Sequence, residues 1–182
     1  MKKGFTLLET LFALIIVSTG FFAIFSLVIK SFSATPSIID RLIAANLAQE
    51  GLEIVRNIRD SAYAYSKDWA EITSAAYLDK DNCLSEDKNC EADPENGLFD
   101  IADDTYLRYD ASTGKYNYTG GEITRFRRWL NLNQGEGLCA DIPVATSTSP
   151  NDCIQVKVKV SWQGKAGREE EVNTESYLYN WR

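Results

Sequence analysis

Histidine is absent from all 182 residues, while methionine occurs once and proline four times. Without histidine the chain lacks the side chain that most often moves protons near neutral pH and most often binds metals. A serine or cysteine nucleophile would need a lysine or carboxylate base, and no nucleophile-elbow motif supports one. No catalytic arrangement stands out, and no cofactor is expected. Basic residues are also in the minority, 19 against 26 acidic ones for a formal net charge of -7, which argues against general nucleic-acid binding. A second long apolar run is missing too. Thr10 to Ile29 are 20 consecutive residues without a charge, and nothing comparable follows Lys30. At about 1.5 Å per residue such a run crosses a hydrocarbon core of about 30 Å.

A single N-terminal span is therefore expected, with one globular domain beyond it. Lys2 and Lys3 precede the span, so the positive-inside bias leaves the extreme N-terminus in the cytoplasm and sends the rest across. Four cysteines agree with an extracytoplasmic head, where an even number is usually paired. Three connectivities are open. Cys83 with Cys90 and Cys139 with Cys153 is favoured, because each pair is close in sequence and brackets a polar, turn-rich segment. Zinc is the competing reading, but six and thirteen intervening residues fit poorly with the short C-x₂₋₄-C pairs of zinc sites.

The chain starts Met1-Lys2-Lys3-Gly4-Phe5-Thr6-Leu7-Leu8-Glu9. Its apolar run is longer than the 7 to 15 residues or so of an ordinary signal peptide, and Glu9 stands at its beginning. A carboxylate at the bilayer centre costs about 2.5 to 3.5 kcal/mol on insertion scales, so Glu9 must stay near the interface or acquire a partner. As a plain anchor, Thr10 to Ile29 spans alone and Glu9 rests among headgroups. Gly4, between the basic leader and the apolar start, suits a processing site. Cleavage there makes Phe5 the new terminus, with a free amine at i, i+4 spacing from Glu9. In a stack of axially shifted subunits, the amine of one chain could meet Glu9 of its neighbour and set the register. Cleavage near Ser31-Phe32-Ser33 by ordinary signal peptidase is a weaker rival, which would leave Glu9 without a role.

Lys-Gly-Phe-Thr-Leu-Leu-Glu resembles the type III signal of type IV prepilins and type II secretion pseudopilins. The resemblance implies cleavage after Gly4 by a prepilin peptidase, N-methylation of Phe5 by the same enzyme, and a Glu9 that guides docking of subunits in a filament. It implies further partners: other pilin or pseudopilin subunits, an inner-membrane assembly platform, and membrane lipid before assembly. The implied fold is α+β and pilin-like, a long N-terminal helix packed on a C-terminal antiparallel sheet. The implied location is a single-pass cytoplasmic-membrane protein, later part of a cell-surface or periplasmic filament. Its segments would be a leader over 1–4, a transmembrane and assembly helix over 5–35, an amphipathic helix over 36–62 and a head over 63–182. The alternative is a membrane-anchored binding module that does not polymerise.

Pro36 predicts a kink or break, followed by a second helical pattern from about Ile38 to Ala62. Leu47, Gly51, Val55, Ile58 and Ala62 form its apolar stripe, opposite Glu50, Glu53, Arg56 and Asp60. Gly51 lowers helix propensity by about 1 kcal/mol against alanine and marks a close packing contact. Ala44 to Glu53 also resembles the helix of PilV-like minor pilins. The acidic stretch from Ser66 to Asp104 reads as an irregular loop region, and its carboxylates lack the spacing of a calcium loop. Strand signals begin near Thr105. Tyr106 to Asp110 and Lys115 to Tyr118 flank a hairpin turn, and Glu122 to Leu132 alternates. Cys153 to Trp162 is the clearest strand, with Ile154, Val156, Val158, Val160 and Trp162 facing one way. A last strand follows over Glu169 to Tyr179, whose ending, with the strand before it, resembles PilV-like C-terminal strands. Arg125, Arg127, Arg128, Phe126 and Trp129 interleave basic and aromatic residues, as single-stranded nucleic acid would require. Alternation, however, divides them between two faces. Ala145 to Ser149 reads as an exposed loop.

Overall fold

The structure is a computed structural model that describes residues 6–85, 88–100, 105–134, 138 and 153–180. Two compact units divide between Asp40 and Arg41. The fold class is α+β: among the described residues a 58-residue helix α1, Leu7–Ala64, precedes a short helix α2, Trp69–Ile72, and eight strands in three antiparallel sheets.

Helix α1 runs through Pro36, where a kink or break was expected. Proline lacks the N–H that would bond four residues back. In the turn before it, side chains add to the bonding: Thr35 Oγ1 donates to Ser31 O at 3.1 Å and Ser33 Oγ to Lys30 O at 3.0 Å. The helix also continues two residues past the expected Ala62, because buried Tyr63 donates from its hydroxyl to Asn180 Oδ1 at 2.9 Å.

In the second unit, the apolar stripe of α1 packs as its spacing predicts. Leu47, Val55 and Ala62 are buried, joined by Ala44, Ala48, Leu52 and Ile54. The central sheet has the order β6-β7-β8, with β6 Phe126–Asn133, β7 Cys153–Gln163 and β8 Glu169–Tyr179. Every residue expected on the inner side of β7 is buried, from Ile154 to Trp162. Its other side is less wet than the alternation suggests: Lys157 and Lys159 are exposed, but Gln155 and Ser161 are buried.

The stretch from Ser66 onward is not an irregular loop throughout. It contains α2, a 3-10 turn at Lys80–Asn82, and a hairpin of β1 Glu91–Asp93 with β2 Gly97–Phe99. Trp69, Ile72, Leu78, Cys83, Cys90, Ala92 and Leu98 enter the core from it. Burial of these scattered apolar side chains, not periodicity, organises the segment. The expected strand from Glu122 to Leu132 is divided. β5, Glu122–Ile123, pairs with β3, Arg108–Asp110, whereas β6 pairs with β7. The hairpin of β3 with β4, Lys115–Asn117, stands where the turn signals put it, and Gly114 supplies the positive φ of +70° that its turn needs.

Candidate functional site

The first candidate site is the start of α1. Gly4 and Phe5, the expected processing residues, lie outside the described residues. Thr6 precedes the helix, and its Oγ1 accepts from the Glu9 N–H at 3.3 Å. Its carbonyl accepts from the N–H groups of Glu9 and Thr10 at 3.1 and 3.3 Å. Thr6-x-x-Glu9 therefore has the spacing of a capping box, and Glu9 is an acid in the first turn, where the helix dipole favours negative charge. Sequence reading missed this local role, although the S/T-x-x-E spacing carried it. Glu9 itself is exposed and has no ion-pair partner among the described residues.

From Leu7 to Phe32 the large apolar side chains of α1 are exposed, and the helix is long and apolar enough to cross a membrane by length and composition. Its hydroxyls suit that environment. Thr10, Ser18, Thr19 and Ser26 each donate to a carbonyl three residues back at 2.9 Å. Hydrogen-bonding groups satisfied within one helix are what a bilayer core demands.

The second feature is a buried polar junction in the head. β6 presents Phe126, Arg128, Leu130 and Leu132 to the core, and Arg128 is fully buried. Its Nη1 donates to Leu47 O of α1 at 3.1 Å and lies 3.6 Å from Glu50 Oε2. Its Nη2 donates to Ala92 O of β1 at 2.5 Å, and its Nε has no partner among the described residues. Beside it, the Tyr118 hydroxyl donates to Glu91, a carboxyl only 1% exposed. Burial pushes the Glu91 carboxyl up to about 8, against the smaller pull of the Tyr118 hydrogen bond and the Arg128 charge. Burial likewise holds the Tyr118 hydroxyl far above its ordinary value. Gly51 makes the close approach possible. A Cβ there would stand 3.1 Å from Val158 Cγ1 and 3.4 Å from Arg128 Cδ, which gives the expected packing glycine its reason. The sequence did hold a signal for Arg128, the one charge in phase with Phe126, Leu130 and Leu132. Nothing local marks Glu91.

Cys83 and Cys90 form a disulfide with Cα atoms 5.8 Å apart, both buried. Cys153 is buried and disulfide-bonded, while Cys139 lies outside the described residues, as does Ala145 to Ser149. The basic and aromatic residues of β6 divide as alternation predicts. Arg127 pairs with Glu169 at 2.9 Å and packs on Tyr106 and Trp129, opposite to the buried Phe126 and Arg128. The carboxylates of Asp79 and Asp93 serve the backbone. Asp79 Oδ1 accepts from Leu84 N at 3.0 Å, and Asp93 Oδ1 from Glu95 N and Asn96 N at 2.9 and 3.1 Å. No cluster of metal-ligating side chains occurs among the described residues.

No family model, curated protein or solved structure matches the chain.

Proposed function

We propose that this chain is a structural subunit, minor pilin or pseudopilin, of a type IV pilus-like filament. A prepilin peptidase would remove Met1 to Gly4 and methylate Phe5, and an inner-membrane platform would lift the span out of the lipid into the filament. The head would lie outside the cytoplasmic membrane, first on its surface and then on the filament. The observation that carries the reading is the signal itself: Lys-Gly-Phe-Thr-Leu-Leu-Glu, directly followed by 20 uncharged residues. The exposed apolar surface of α1 and the exposure of Glu9 support it, since both need a partner outside the chain once lipid is left behind.

A second reading, an anchored binding module that does not polymerise, draws on the place of Glu9 in the first turn of α1, where the helix dipole favours its charge in a lone helix. Glu9→Gln separates the two. Glutamine leaves the Thr6 cap intact, since that cap uses only the backbone N–H of residue 9, but it carries no charge for a neighbouring amine. Incorporation into sheared filaments, read by immunoblot against membrane-retained protein, should fall at least about tenfold in Glu9→Gln, as expected when a buried charge loses its partner. Equal incorporation of the two forms would leave Glu9 as a first-turn acid only and remove the docking role.

A further inference from the structure

The outer face of the β6-β7-β8 sheet holds a cleft of about 640 Å³, within the span of small-molecule sites. Two rows of side chains cross it. Trp129 stands opposite Lys159 and Lys159 opposite Asn173, while Asn131 stands opposite Lys157 and Lys157 opposite Glu175. The indole is half-buried and braced by paired cations. The Arg127 guanidinium lies 5.2 Å from its ring centre and is held by Glu169, and the Lys159 ammonium lies 5.9 Å away and is held by Glu171 at 2.6 Å. Arg127 is not part of the cleft lining and supports the ring from outside the cleft, whereas Lys159 lines it. Such a ring is fixed before any ligand arrives, which lowers the ordering cost of binding.

The groups around the indole fit hydroxyls. Asn131 Nδ2 donates to Lys88 O at 2.9 Å, which holds its amide in place beside the indole. Glu175 is oriented by Gln155 Nε2 at 2.7 Å, and exposed Lys157 has no ion pair among the described residues. Lys157 and Glu175 both line the cleft, and Lys159 is paired with Glu171 just outside it, so the charges of the cleft and its ion-pair partner cancel and leave little to attract a polyanion. A ligand matched to this lining has a flat C–H face for the indole, a rim of donors and acceptors, and no charge of its own. A pyranose ring meets all three requirements. Three strands span about 10 Å across the sheet, room for about two such rings.

We propose that this cleft binds a neutral hexose chain, with Trp129 as the stacking platform and Lys157, Asn173 and Glu175 as the hydroxyl contacts. The site is independent of polymerisation. The test uses the full chain in a polyoxyethylene detergent, so that no sugar headgroup competes. Cellotetraose and tetra-N-acetylchitotetraose are titrated by calorimetry, with tetragalacturonate as the acidic counterpart. Saturable binding of a neutral tetrasaccharide is expected, weakened at least about tenfold by Trp129→Ala and about threefold or more by Lys157→Ala, equivalent to about 1.4 and 0.6 kcal/mol. Lys157→Ala alters an exposed side chain and decides the matter should Trp129→Ala fail to fold. No saturation with either neutral probe, unchanged affinity in the folded variants, or tighter binding of tetragalacturonate would each overturn the proposal.

Discussion

Replacing Glu91 by glutamine should change how the stability of the head depends on pH, and in an unusual direction. In the folded chain burial raises the Glu91 carboxyl to about 8, well above its ordinary 4.5, so folding favours the protonated form. Its contribution to stability is complete below about pH 4.5 and is lost as pH rises through about 8. One pH unit inside that window corresponds to about 1.4 kcal/mol, so the interval from pH 5 to pH 8 removes about 3 to 4 kcal/mol. Asp110, Glu171 and Glu175 act in the opposite sense, because hydrogen bonds to their charged forms lower them. Their contribution is present above the ordinary carboxylate range and is lost as pH falls through their depressed values. The comparison with Glu91→Gln cancels these terms. The glutamine amide keeps the shape and an oxygen for the Tyr118 hydroxyl, and it does not titrate. Urea unfolding of the full chain in non-ionic detergent, followed by the fluorescence of buried Trp69 and Trp162, gives the stability of each form. Wild type should lose about 3 kcal/mol relative to Glu91→Gln between pH 5 and pH 8. A constant difference, or a wild type that gains on the variant as pH rises, would mean that Glu91 is ionised against Arg128 throughout, and would refute the reasoning.

Two further changes test the packing of the head. Gly51→Leu drives a side chain into Val158 and Arg128, and urea unfolding should show a loss of about 2 to 3 kcal/mol. Gly51→Ala should lie within about 1 kcal/mol of wild type, because gained helix propensity offsets part of the crowding. Paired replacement of Cys83 and Cys90 by serine opens a bridge of sequence separation 7, and chain entropy sets the loss at about 2 to 3 kcal/mol in thermal or urea unfolding.

Legibility of the fold followed periodicity. β7 and β8 could be read directly, since long alternation with one buried side leaves little choice of register. The β3-β4 hairpin was legible from its turn residues, and the helix stripe from Leu47 to Ala62 from its 3.6-residue spacing. β1 and β2 were not, because three-residue strands hold no measurable period and their core side chains come singly among polar neighbours. The continuous helix at Pro36 was hidden because a proline removes a backbone bond inside a helix, and nothing in the neighbouring residues marks that the helix carries on through it. In the charged junction, Arg128 was visible in phase with its strand, but Glu91 and Tyr118 meet it only through tertiary packing. At the N-terminus the spacing of Gly4, Phe5 and Glu9 carries the proposed function, and the structure added the Thr6 cap on the Glu9 backbone N–H.

The filament account is tested most directly by mass spectrometry of the mature N-terminus, taken from native membrane and filament fractions. The account predicts a chain that starts at Phe5 and carries one methyl group on its amine. Retention of Met1 to Gly4 in otherwise mature protein, or a start near Ser33, would contradict it.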